Sequence, residues 1–259
     1  MNHTLVVGLF TLGLFLGMLI LLEIGRRIGV RRMAKDSEGA QEGVGAVEGA
    51  VFGLLGLLIA FTFSGAASRF DTRRQLIVEE TNNIGTAYLR LDLLPAGARP
   101  AIRENFRRYV DARLEVYWKL PDVAAAKEEL AKATSLQRDI WRQAVAACRA
   151  DGAQPAAAML LLPALNAMID ITTTRTMATQ MHPPTIIFAM LFGLALASSL
   201  LAGYGMAGAK TRSWLHLIGF AAVVAVSVYV ILDIEFPRLG LIRVDAFDQA
   251  LVELRGNMK

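Results

Sequence analysis

The sequence predicts an all-α membrane protein with four transmembrane helices and a helical-bundle insert between the second and third spans. Three observations carry this. Four apolar runs are each long enough to cross a hydrocarbon layer about 30 Å thick. The stretch between the second and third runs is densely charged, and its apolar residues recur at helical spacing. No segment alternates with period two for long, and no Asn-Gly or Asp-Gly turn joins two β-rich runs. The expected boundaries are a first span within residues 1–22, a polar loop over 23–43, and a second span over 44–67 that continues into the insert. A water-exposed helical domain follows over 68–184, then a third span over 185–203, a loop over 204–213, a fourth span over 214–232 and an amphipathic tail over 233–259.

The first run, roughly Leu5 to Leu22, has no basic residue ahead of it and is followed by Arg26, Arg27, Arg31 and Arg32. That is a stop-transfer arrangement, so the run reads as a retained anchor rather than a cleaved signal. Gly13 and Gly17 form a GxxxG pair, which reads equally as a face for the close approach of another helix and as the glycine that is common in membrane helices. The glycines and mixed charges after it read as a connector; the glycines at 39, 43 and 45 lack the GK[ST] of a phosphate loop.

The second run, Ala50 to Ala67, passes into SRFDTRRQLIVEETNNIGTAYLRLDLL with no proline before Pro95. It reads as one helix of roughly 65 Å, apolar at one end and amphipathic at the other. Glu48 stands at its entry, where its charge is expected to reach water. Past Pro95, Ile102, Phe106, Tyr109, Val110, Tyr117 and Leu120 mark a second helix of the insert, stopped by Pro121. Asp122 is placed to cap the next helix, whose stripe includes Leu136, Ile140, Ala144 and Cys148 and whose end is marked by Asp151-Gly152. A further helix begins near Pro155, with a kink or break expected at Pro163. His182 precedes two prolines and reads as a helix-boundary residue. In the tail, Phe247, Leu251 and Leu254 share one face.

Composition narrows the function. Hydrophobic residues make up 54% of the chain, above the usual 45–50% or so, and they are gathered into blocks, which excludes an ordinary soluble enzyme. The formal charge of +4 is spread without a Lys/Arg-rich block, so nucleic acid is not a partner. Cys148 is the single cysteine, reads as a small buried residue and rules out an intrachain disulfide. His3, His182 and His216 have no metal-ligand spacing, and there is no GxSxG or CxxC. Glu79 and Glu80 are adjacent on a helix and so point in different directions, which does not make a catalytic dyad. A membrane enzyme using Asn166, Asp170 and Arg175 is the weakest reading, because only the first two share a face. No enzyme activity, cofactor or metal is expected.

The segment LLIAFTFSGAASRFDTRRQLIVEETNNIGTAYLRLDLLP resembles the signature of the bestrophin-like domain. The blocks LLLPALNAMIDITTTR, LASSLLAGYGMA and DIEFPRLGLIRVDAFDQAL resemble that family too. FTFSGAASRF is similar to the FR-x-x-x-A-x-x-R-W arrangement of bestrophins. Phe61 matches the neck aromatic, Ala66 the alanine, Arg69 the arginine and Phe70 the first aromatic. Thr62 and Asp71 depart from the pattern; one turn back Leu57 is an acceptable neck residue, whereas Gly53 two turns back is not bulky. The resemblance implies four spans with a helical insert in the cytosol, in an oligomer, pentameric by analogy, that passes inorganic ions across the inner (plasma) membrane. The implied pore-lining residues are Leu57, Phe61 and Ser64, with Arg69 and Arg73 as candidate charged rings at the exit. The Lys and Arg count near span ends, with Lys210 and Arg212 included, nearly balances and leaves orientation open on charge alone. The alternative function is a non-conducting membrane scaffold or sensor whose helical domain binds a partner.

Overall fold

A computed structural model describes residues 3–35, 44–208 and 214–259. Gly39, Gly43, Lys210 and Arg212, discussed above, lie outside the described residues. Eight α-helices and no strand occur among the described residues: α1 His3–Met33, α2 Val44–Leu89, α3 Arg99–Trp118, α4 Val123–Cys148, α5 Pro155–Gln180, α6 Thr185–Gly205, α7 Trp214–Glu235 and α8 Gln249–Asn257. Four helical stretches are long and apolar enough to cross a membrane, and they contain α1, α2, α6 and α7. The chain divides into two compact units, one formed by residues 1–68 and 182–241, the other by 69–181 and 242–259.

In the first unit α1 packs along α6 and α7. The closest approach uses glycines, because only their absent side chains let two backbones meet. A Cβ on Gly25 would stand 1.9 Å from the Leu200 carbonyl oxygen, and one on Gly203 would stand 2.0 Å from that of Leu22. Gly29 is similarly closed by Ala207 and Tyr204. Of the two readings of Gly13 and Gly17, the close approach is not made there within this chain. Gly13 has nothing within 4 Å, and Gly17 meets only the Leu196 side chain. The close helix pair instead uses a second GxxxG, Gly25 to Gly29, inside the part of α1 that its arginines made look like a loop. The membrane part of α2 touches α7 through an edge-to-face pair, Phe52 and Phe220, with centroids 5.7 Å apart. The Glu48 carboxylate lies against Gly205, whose Cβ would fall 2.5 Å from it, so a missing side chain makes its berth. His182 stands just before α6, with Nδ1 3.0 Å from Glu235 Oε1 and its ring stacked on Phe236 at 4.5 Å.

The second unit is a helical bundle. Its core joins Ile84, Ala87 and Leu91 to Phe106, Tyr109 and Val110 of α3, Ile140 and Ala144 of α4, and Leu161, Leu165 and Met168 of α5. These side chains recur three and four residues apart, which is what a buried helix stripe requires. Asp122 caps α4, accepting from the backbone N–H groups of Ala124 and Ala125 at 3.1 and 3.0 Å. Gly152, with φ +79°, supplies the left-handed turn after α4. The break expected at Pro163 is absent, since α5 runs continuously through it. Pro163 and Met159, whose carbonyl loses its partner, both face outward, so water can satisfy that oxygen. The C-terminal segment closes on the bundle: Leu251 joins its core, and Arg255 makes a two-pronged ion pair with Asp111 at 2.8 and 3.0 Å.

Candidate functional site

The membrane part of α2 is the least covered of the four spans. Leu57 is 52% exposed, Phe61 66%, and Ser64 is also exposed, whereas Leu55 and Ala66 on the opposite side are buried. At 100° per residue, Leu57, Phe61 and Ser64 lie within about 40° of one line along the helix. Thr62 turns its hydroxyl inward, donating to the Leu58 carbonyl at 2.7 Å. The open face is therefore two large apolar side chains followed by one hydroxyl.

The two arginines expected beside these residues do not share their face. Arg69 and Arg73 lie about 120° and 160° around the helix from Leu57. Arg69 is half-buried. Arg73 is 6% exposed and donates to the Ala178 and Met181 carbonyl oxygens at 3.1 and 3.0 Å. It closes the last turn of α5, where unsatisfied carbonyls attract a cation. The structure thus brings Leu57, Phe61 and Ser64 together and puts Arg73 to a different use.

Further along α2, neighbouring carboxylates separate. Glu79 is exposed, whereas Glu80 is completely buried and accepts from Arg113 Nε at 2.5 Å and from Arg175. Arg175 also reaches Asp248 at 3.3 Å and lies 4.0 Å over the Tyr117 ring, and Arg113 donates to the Tyr117 hydroxyl. Burial alone would raise the Glu80 carboxyl, but the two guanidinium groups outweigh it and hold it at about 2. Next to this cluster the Tyr109 hydroxyl is 3.1 Å from Thr172 Oγ1, and Gln137 Nε2 donates to both, at 3.1 and 2.9 Å. Burial, reinforced by the Glu80 charge, pushes the Tyr109 phenol up to about 12, so it stays a neutral donor.

Sequence reasoning missed this network. A signal was present, because position 80 falls in the stripe of Ile77, Ile84, Ala87 and Leu91, and a charge there needs a partner. Asn166, Asp170 and Arg175 do not converge on a site. The first two face outward, and Arg175 is spent on Glu80 and Asp248. Cys148 is half-buried against the core, and burial raises its thiol. Among the described residues no three His, Cys, Asp or Glu side chains are grouped to hold a metal.

Comparison with known proteins places this architecture. The sequence matches the Bestrophin-like domain over residues 12–246. The chain belongs to the bestrophin-like family. Two crystal structures of a bacterial Bestrophin homolog from Klebsiella pneumoniae share its fold. One, carrying a tryptophan-to-alanine substitution, has a TM-score of 0.67 at 13% identity, covering 95% of this chain and 98% of the other. The second, with a tyrosine-to-alanine substitution, has a TM-score of 0.66 at 14% identity, covering 93% and 98%. No curated protein sequence matches. At these identities the likeness is one of fold, and the bestrophin-like fold is the all-helical, four-span architecture described above.

Proposed function

We propose that this bestrophin-like protein is an oligomeric ion channel, pentameric by analogy, in which copies of α2 surround the pathway and Leu57 and Phe61 form its hydrophobic neck. The observation that carries this reading is the open face of α2. A spanning helix with so little cover from its own chain needs lipid or other copies beside it. The face presents Leu57 and Phe61 at the positions that match a bestrophin neck, with Ser64 one turn further on. A ring of such side chains holds or expels water according to its width, and so gates without moving charge. In this reading the membrane is the bacterial-type inner (plasma) membrane and the second unit stands in the cytosol, as the family analogy implies.

The test is reconstitution of the purified oligomer into planar bilayers, with subunits counted by native mass measurement. Unitary currents that grow in Phe61→Ala are expected. Silence from both wild type and Phe61→Ala removes the proposal. A non-conducting scaffold is the second reading. It is favoured by an open groove of about 630 Å³ between α4 and α5, lined in part by Arg138, Trp141 and Asn166. Recovery of one stoichiometric partner by the full-length protein, together with silent bilayers, would establish it.

A further inference from the structure

We infer that the turn joining α3 to α4 rests on the lipid surface, with Trp118 and Val123 seated at the boundary between headgroups and hydrocarbon. The turn is the tip of a helix pair in the second unit. On its two sides Trp118 is 59% and Val123 56% exposed. Large apolar side chains left open on a water-facing domain mark a contact surface. An indole, apolar in its body and polar at its N–H, is enriched at the level of lipid headgroups. The charges nearest the tip are matched among themselves. Lys119 and Lys132 both pair with Glu129, and Asp122 accepts from the first N–H groups of α4. What the tip offers a partner is therefore apolar surface rather than net charge.

The end of the unit that carries this tip is also the end tied to the membrane. α3 and α5 run side by side in the same direction, with the Tyr109 and Thr172 hydroxyls 3.1 Å apart and Arg175 4.0 Å over the Tyr117 ring. Trp118 and Met181 each lie nine residues beyond the first of these contacts, so the two stand at about the same level. The Met181 carbonyl is held in turn by Arg73, just past the point where α2 enters the unit. Only four residues separate Met181 from Thr185, where the spanning helix α6 begins. Whatever angle the two units make, that stretch tethers this end within about 14 Å of α6. Met177 and Met181 are exposed as well and extend the apolar rim. The tip cannot draw back, because buried Gln137 of α4 donates to both Tyr109 and Thr172 and so locks the three helices in register. Lipid is the partner that meets this rim in every copy, with or without ion passage.

The experiment places a nitroxide on the full-length protein in phosphatidylcholine vesicles. Cys148 is the single cysteine, so a Cys148→Ser background takes one label at Val123→Cys or, as control, at Asp151→Cys. Both positions are exposed, so neither substitution strips the core. The control lies past the far end of α4, a helix of 26 residues and so about 39 Å long. Oxygen, which concentrates in hydrocarbon, and a water-soluble nickel chelate are compared as relaxing agents. The ratio of oxygen to nickel accessibility should be several times higher at position 123 than at position 151. Replacing phosphatidylcholine with phosphatidylglycerol should leave it unchanged, because the contact is apolar. In unlabelled protein, Trp118→Phe should remove emission that brominated lipids quench. Equal ratios at the two positions overturn the inference. So does a label at position 123 shielded from both reagents, which would mean that protein covers the tip, and so does loss of only unquenched emission in Trp118→Phe. None of these results bears on whether the protein conducts.

Discussion

Glu80 and Arg113 form an ion pair 2.5 Å long in which the arginine side chain is 1% exposed and the carboxylate is closed to solvent. Arg175 completes it from α5 and passes the charge on to Asp248. Three helices of the second unit, α2, α3 and α5, thus meet on one carboxylate, and Asp248 joins them through Arg175. Removing that carboxylate leaves two buried guanidinium groups facing each other, which costs about 3–5 kcal/mol. Glu80→Gln should therefore lower the thermal midpoint of the detergent-solubilised protein by several degrees. Replacing Glu80, Arg113 and Arg175 with Leu or Met and Asp248 with Asn should restore much of that loss, because both the guanidinium groups and the carboxylates of the network are then gone. Equal midpoints for the single and quadruple variants would mean that something other than charge pairing holds these helices.

The same pair fixes an acid response. The Glu80 carboxyl is depressed from 4.5 to about 2 in the folded state. A depressed carboxyl contributes stability that is fully present above its unfolded value and is lost as pH falls through its folded value. Stability from this group should be intact above pH 4.5 and decline from there toward pH 2. Denaturation measured across that window should show a steeper fall for wild type than for Glu80→Gln. Parallel curves for the two proteins would contradict the assignment.

The glycines of α1 divide sharply. Gly25→Ala and Gly203→Ala place a methyl within about 2 Å of a backbone carbonyl, so the two helices must separate. Gly13→Ala adds a methyl to open space. Overpacking of this kind typically costs about 1–3 kcal/mol. A thermal-shift comparison should show Gly25→Ala and Gly203→Ala destabilised and Gly13→Ala unchanged, and the reverse order would contradict the α1–α6 contact described above.

Much of this architecture is legible in the sequence because its signals are local. The continuity of α2 follows from a proline-free run that ends at Pro95, and the start of α4 follows from Asp122. Leu57, Phe61 and Ser64 share a face by spacing alone. What escaped depends on which side of a helix meets a distant segment. Arg69 and Arg73 follow the open face in sequence, but helical rotation turns them off it. Glu79 and Glu80 are chemically alike, and only the position of α3 and α5 makes one a buried anchor and the other a surface charge. Gly25 and Gly29 were hidden because the arginines between them suggest a loop, although nothing in that stretch breaks a helix.

Arg73 separates a structural cation from a selecting one. Its guanidinium donates to two carbonyls at the end of α5, at 3.1 and 3.0 Å, and is almost closed to solvent. Bonds from a charged donor contribute about 1.5–3 kcal/mol. Arg73→Gln should therefore lower the thermal midpoint, with Arg73→Lys between it and wild type because an ammonium retains the charge but not the planar fork. In bilayers the two variants should leave the ratio of cation to anion permeability unchanged, since the side chain does not lie on the open face of α2. A shift in that ratio without loss of stability would return Arg73 to the pathway.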